Sequence, residues 1–337
     1  MTMTNIRPGL NPHRLVSLMR QAILRCDLQL QKTTVLTEAA TGAYAVTPVL
    51  AAMAGAEKVF ALTQSSPYGT VEQVKEQTQR LAEIAGVGER IEFITQKLPE
   101  LVAQADIITN SGHVRPIDAA MIGGMKSTVV IGLMYEAWEF RPEDVDLAAC
   151  RQRGIKVVGV NERHPAVDVF SFLGIMAVKL LLDSSVAVYT SDILLLCDNP
   201  FRSFIEQGLV NAGARVDTVD SLATAPIDKT YDAILVALQP RPEPVLSAAD
   251  AILIAKYWTG ALVAQYWGDI ERPAFISQNI PICPAKEPKP GHMGILPSAV
   301  GPEPIIRLQT GGLKAAEVIW RQSSQASDPA MEFVQLL

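Results

Sequence analysis

The sequence predicts an α/β protein of two doubly wound parallel-sheet domains, Rossmann-like or flavodoxin-like, with a cleft between them. Three observations carry that reading. Short β-branched runs alternate with helix-length segments, the pattern of a parallel sheet covered on both faces. The alternation occurs twice, once before residue 165 and once after residue 185. Between the two lies an apolar stretch, residues 167–182, hydrophobic on nearly every side of a helical wheel. It reads as a helix buried all round that joins two domains.

The elements follow in order. Residues 12–30 place Leu15, Leu18, Met19, Ala22 and Ile23 on one helical stripe. Strands are expected at 33–37, 58–62, 91–94 and 106–109, with helices at 43–54, 70–85 and 98–104. The run Ser127-Thr-Val-Val-Ile-Gly-Leu-Met is a further strand, and Asp144 or Asp146 suits the start of the next helix. Gly154 ends that helix before Ile155-Lys-Val-Val-Gly-Val. In the second half, strands are expected at 192–196, 214–219, 231–238 and 249–255, with a helix at 200–212. Residues 271–304 are proline-rich and read as irregular, ahead of a last helix at 312–321 and a flexible tail. The resulting division is a flavodoxin-like domain at 1–165 with a capping helix, a joining helix 166–184, a Rossmann-like nucleotide-type domain at 185–300, a return helix 301–322 and a tail 323–337.

Composition narrows the function. A chain of 337 residues with 49% hydrophobic and 19% charged side chains suits two packed domains. A net charge of −6 without a basic run argues against nucleic acid or an anionic membrane as partner. No apolar signal core or membrane-spanning run is expected. Four scattered cysteines without paired spacing read as reduced thiols of a cytoplasmic protein, with no metal site.

Several motifs bear on chemistry. The order "apolar strand, Asp146-Leu-Ala-Ala-Cys, Arg151-Gln-Arg-Gly-Ile-Lys-Val-Val-Gly-Val-Asn, long apolar helix" resembles the end of the catalytic domain in D-2-hydroxyacid dehydrogenases. Further on, Leu194-Leu-Leu-Cys-Asp-Asn-Pro-Phe-Arg leads through a helix to Ala212-Gly-Ala-Arg-Val-Asp-Thr-Val-Asp, the frame of a dinucleotide-binding unit. The resemblance implies NAD as cofactor, with Asp198, Asn199, Asp220 and Gln239 beside it and Asp220 on ribose hydroxyls. The glycines of the phosphate turn are absent, however, and Asp198 would repel a phosphate. No arginine stands out near Thr63 or Asp220, which favours NAD over NADP.

The same resemblance implies catalytic roles. Lys289-Pro-Gly-His-Met-Gly is similar to the segment carrying the family's acid–base histidine, so His292 takes that role. Glu271, in Trp267-Gly-Asp-Ile-Glu-Arg-Pro, becomes its orienting carboxylate, with Glu287 as the second choice. Lys256 stands where a substrate-binding arginine is expected and can attract a carboxylate without a two-pronged grip. Asn110, Ser111, Gly112 and His113 follow a strand at the sheet end where ligands bind and become substrate contacts. Tyr135 and Glu136 replace a glycine-rich turn, implying a larger ligand or a packed interface.

Three functions stay open. The first is a divergent NAD(P)-linked oxidoreductase acting on a small 2-hydroxy or 2-oxo acid, a homodimer like its relatives. The second is an S-adenosylmethionine-dependent methyltransferase or other nucleoside enzyme. There Thr37-Glu-Ala-Ala-Thr-Gly-Ala-Tyr would be the nucleoside loop, with Gly42 its remaining glycine. The third is a binding or assembly protein that kept the fold and lost the cofactor.

Overall fold

A computed structural model describes residues 7–321 and 328–337. The chain divides into two compact units, Met1–Val169 with Gly301–Leu337, and Phe170–Val300.

The first unit opens with α1 (Pro12–Cys26), whose first amides are capped by the Asn11 side chain and which ends at Asp27 in a left-handed conformation. Leu15, Val16, Met19 and Ala22 form its buried stripe. There follow β1 (Thr34–Glu38), α2 (Val46–Met53), β2 (Lys58–Leu62), α3 (Val71–Ala85), β3 (Ile91–Ile94), α4 (Pro99–Val102) and β4 (Ile107–Thr109). Pro48 is tolerated in α2 because it lies in the first turn, where its missing N–H has no partner to lose. Thr70 and Gln73 close α3 with a capping box. The unit continues with α5 (Ala119–Gly123), β5 (Val130–Gly132), α6 (Leu147–Gln152) and β6 (Lys156–Val160). Asp146 caps α6 by accepting from the amide of Ala149, whereas Asp144 is engaged elsewhere.

The second unit contains α7 (Leu173–Asp183), β7 (Asp192–Leu196), α8 (Arg202–Asn211), β8 (Arg215–Val219), β9 (Ala233–Ala237), α9 (Ala248–Tyr257), β10 (Leu262–Trp267), α10 (Arg272–Ser277) and β11 (Ile282–Cys283). The chain then returns to the first unit as α11 (Glu303–Trp320) and β12 (Val334–Leu336).

Both sheets are doubly wound. The first runs β12-β6-β5-β4-β1-β2-β3, parallel except for β12, which pairs antiparallel with β6. Its six parallel strands therefore carry the 3-2-1-4-5-6 order of nucleotide-binding folds. The second runs β11-β10-β9-β7-β8, all parallel, the 2-1-3-4-5 order of flavodoxin-like sheets. That assignment reverses the expectation of a flavodoxin-like amino-terminal part and a Rossmann-like second part. Order reverses between β1 and β4 in one sheet and between β7 and β9 in the other.

Four local expectations are corrected. Residues 249–255 form helix α9, not a strand. Its Ser247–Asp250 capping box and buried Ala251 and Ile254, with Ile252 and Leu253 exposed, give a helical spacing that a short apolar run conceals. The strand is β10, which begins five residues after α9 ends. The joining segment starts its α-helix only at Leu173, because Asp168 adopts φ 50° and a 3-10 turn follows. Ile175 and Leu182 on α7 are 57% and 54% exposed, so that helix is not buried all round. Residues 271–304 hold α10 and β11, and α11 starts well before Gly312. Of the expected tail, 323–327 lie outside the described residues, while 334–336 are strand β12.

In the second unit α7 and α8 cross at Gly174 and Gly208. A Cβ on Gly174 would lie 2.6 Å from the Cα of Gly208 and 2.7 Å from the carbonyl of Phe204. In the first unit α11 contributes Ile305, Ile306, Leu313, Ala315, Ala316 and Ile319 to the main core beside α1, α2 and β1.

Candidate functional site

In open α/β sheets, ligands bind beyond the carboxyl ends of the strands, where strand order reverses. In the first unit that point is the gap between the ends of β1 and β4. The Thr37 hydroxyl meets that of Thr109 at 2.7 Å, which in turn meets the Ser111 hydroxyl at 2.7 Å. The last residue of β1, Glu38, accepts a hydrogen bond from the backbone amide of His113 at 3.0 Å. The His113 imidazole Nε2 lies 3.9 Å from the same carboxylate oxygen. Burial holds the Glu38 carboxyl above the ordinary carboxylate range, against the opposing pull of that amide, His113 and Arg115. Gly112 passes directly beneath the carboxylate with φ +39°, and a side chain there would collide with it. Glycine is the residue that this approach admits.

Asn110 is 2% exposed. Its Oδ1 accepts from the amide of Met134 at 2.8 Å, and its Nδ2 is buried without a hydrogen-bond partner among the described residues. The four expected substrate contacts Asn110, Ser111, Gly112 and His113 are thus together at one reversal point. Glu38, the carboxyl against which Gly112 and His113 lie, is not among the site residues that the sequence picks out, although it belongs to the Thr37–Tyr44 loop.

Tyr135 and Glu136 sit in packed networks beyond β5. The Tyr135 hydroxyl donates to Asp144 at 2.7 Å, and Arg115 and Arg141 donate to the same carboxylate at 3.2 Å. Burial first, and the Asp144 hydrogen bond second, push the Tyr135 phenol up. Glu136 is fully buried and accepts from Trp138 Nε1 at 2.5 Å, the amide of Glu162 at 3.1 Å and Arg163 Nε at 3.3 Å. Glu139 and Glu162 lie beside it. Burial pushes Glu139 up to about 7 and Glu162 well above the carboxylate range, reinforced by like charge from Glu136. Among the described residues no group of three or more His, Cys, Asp or Glu side chains is arranged to hold a metal ion.

The second unit distributes its expected residues over two places. Asp198, Asn199 and Gln239 meet at the β7–β9 reversal, where Asp198 accepts from the amide of Gln239 at 2.8 Å and from Arg241 at 2.9 Å. Asp220, at the end of β8, pairs with Arg202 at 2.6 Å. An arginine therefore does stand beside Asp220, contrary to the sequence reading. A dinucleotide pyrophosphate does not fit the β7–α8 turn. It contains no glycine between Cys197 and Phe201, and it presents a carboxylate where an anion would have to sit.

The expected catalytic set does not form hydrogen bonds within itself among the described residues. Glu271 is exposed and accepts from the amide of Ala248 at 2.9 Å, capping α9. Lys256 lies in the last turn of α9 with its ammonium 4.7 Å from the Tyr257 ring centroid. His292 Nδ1 lies 3.0 Å from Pro290 O, to which it donates in the tautomer that carries the proton on Nδ1. Its loop is tied to the end of β10, where the Gly291 amide donates to Asp269 at 2.9 Å and Trp267 Nε1 to Gly291 O at 3.2 Å. Glu287 is exposed. Cys26, Cys150, Cys197 and Cys283 are free and buried.

Solved structures share this architecture. A dipicolinate synthase polypeptide from Bacillus halodurans aligns over 88% of this chain and 99% of its own, at 12% identity and a TM-score of 0.55. Its counterpart in the dipicolinate synthase of Bacillus subtilis aligns over 89% and 100%, at 11% identity and a TM-score of 0.54. A putative D-3-phosphoglycerate dehydrogenase from Ralstonia solanacearum aligns over 72% and 91%, at 11% identity and a TM-score of 0.47. The likeness is one of fold. No family model and no curated protein sequence matches the chain. No helix among the described residues is long and apolar enough to cross a membrane.

Proposed function

We propose that the chain is an enzyme that moves a proton on a small 2-hydroxy or 2-oxo acid-like substrate, at the β1–β4 reversal of its first unit. The observation that carries this reading is the half-buried Glu38 carboxyl beside the His113 imidazole. A carboxyl whose proton affinity is raised by burial, next to an imidazole that can accept or donate at its ring nitrogens, is suited to general acid–base work. In this reading the His113–Glu38 pair takes the proton from the carbon next to a substrate carbonyl and returns it. Ser111 and the unsatisfied Asn110 amide donate to substrate oxygens. A buried donor without a partner costs roughly 1–3 kcal/mol, a cost offset when a ligand oxygen meets it.

The test is solvent deuterium exchange into pyruvate and 2-oxoglutarate, followed by proton NMR, with no cofactor added. Glu38→Gln and His113→Ala are each expected to slow exchange about 10²-fold or more. Exchange at the uncatalysed rate in the wild type, or unchanged rates in both variants, sinks the proposal.

The rival reading, which requires a pyrophosphate to enter the β7–α8 turn despite Asp198, is an NAD-linked dehydrogenase in which Asp220 holds ribose, His292 acts as acid–base, Glu271 orients it and Lys256 attracts the substrate carboxylate. It is favoured by the anchoring of the His292 loop to the carboxyl end of β10. Hydride transfer would be the nicotinamide's contribution. Calorimetric titration with NADH, NADPH and S-adenosylmethionine separates the readings. The last arm tests whether the 37–44 loop serves a nucleoside. A homodimer in the cytoplasm belongs to the same proposal and is tested by sedimentation and fractionation.

A further inference from the structure

The β7–α8 turn of the second unit lies where a nucleotide-binding sheet of this order takes a phosphate. Such a site needs amides pointing outward and a backbone free of side chains. In this turn those positions are already used. One Asp198 oxygen accepts from the Gln239 amide at 2.8 Å, and the other from the Arg241 guanidinium at 2.9 Å. Asn199 donates its side-chain amide to Ala237 O at 2.6 Å and accepts the Phe201 amide at 3.1 Å. The Asn199 carbonyl accepts the Arg202 amide at 3.2 Å. Arg202 in turn is spent on Asp220 at 2.6 Å and Thr218 O at 2.9 Å.

Amide and guanidinium are the partners a phosphate oxygen would choose. We infer that Asp198 is a resident anion that occupies the phosphate position of the second unit, so that this unit binds no dinucleotide. A phosphate entering beside it would meet a like charge and find its donors taken. The carboxylate also ties the turn after β7 to the turn after β9, so the device closes the reversal point from within. The first unit bridges its own reversal point in a similar way, from Glu38 to the amide of His113. There the neighbouring side chain is the His113 imidazole, whereas Asp198 meets the Arg241 guanidinium. The inference concerns the second unit and stands independently of the role proposed for Glu38 and His113.

The experiment is calorimetric titration of the full chain with NADH, NADPH and inorganic pyrophosphate, on the wild type and on Asp198→Asn and Asp198→Ala. The wild type is expected to show no saturable binding of any of the three into the millimolar range. Asp198→Asn, which keeps the shape and removes the charge, is expected to gain at least about tenfold in pyrophosphate affinity. Micromolar binding of NADH or NADPH by the wild type overturns the inference, and that arm needs no variant. An Asp198 variant that melts like the wild type yet gains nothing for pyrophosphate also overturns it. The wild-type result decides the matter even where a variant does not fold.

Discussion

Replacing Glu139 by Gln should make the protein more stable at alkaline pH, an unusual outcome for a substitution in a hydrogen-bonded turn. The Glu139 side chain accepts from the Glu136 amide at 3.4 Å, a bond that the Gln oxygen retains. Burial first, and the Glu136 charge after it, lift its carboxyl from 4.5 to about 7, against the pull of Arg141. The folded protein therefore binds this proton more tightly than the unfolded chain. The contribution is fully favourable below pH 4.5, declines as pH rises through 7, and is flat above. At 1.36 kcal/mol per unit, the interval between 4.5 and 7 is worth a ceiling of about 3 kcal/mol. Glu162 acts in the same direction, raised by its own burial and then by the charges of Glu139 and Glu136. Urea unfolding followed by tryptophan fluorescence at pH 5, 6, 7 and 8 measures the effect. Glu139→Gln should match the wild type at pH 5, exceed it by up to about 3 kcal/mol at pH 8, and flatten the slope between. Parallel pH profiles for the two proteins, or a variant weaker at pH 8, would refute the reasoning.

Two further substitutions test the packing. Gly174→Ala drives a methyl into the backbone of Gly208 and Phe204 and should cost about 1–3 kcal/mol in urea unfolding, with Gly174→Ser worse. Gly112→Ala forces a strained φ and a collision with Glu38, so it should abolish proton exchange as fully as Glu38→Gln. Retained exchange in a folded Gly112→Ala protein would show that the Glu38 carboxyl can move without loss.

The alternation of strands and helices was legible because each apolar run is bounded by a turn signal, as Gly86 and Gly154 end their helices in left-handed conformations. The run at 251–255 was not, since four or five consecutive apolar residues fit a buried strand and a half-exposed helix equally. Its helical identity rests on the Ser247–Asp250 cap, a signal present in the sequence but outweighed by the run. The gathering of Asn110, Ser111, Gly112 and His113 was readable from one loop. Glu38 was not, because its importance comes from β1 lying next to β4, a neighbourhood that strand order creates and local sequence does not. The Arg202–Asp220 pair escaped for a related reason, as its members stand eighteen residues apart on different elements. The C-terminal strand was hidden by a polar stretch just ahead of it and by its short length.

The chain order of the two units has a bearing on biosynthesis. Phe170–Val300 is continuous, so every residue of the second sheet is synthesised before α11. The first sheet, although translated earlier, must wait for Ile305, Leu313 and Ala316 to complete its principal core, and for β12 to cover the outer edge of β6. The portion made first is therefore the portion finished last, and a released chain ending at residue 302 should carry a protease-resistant second unit and a vulnerable amino-terminal part.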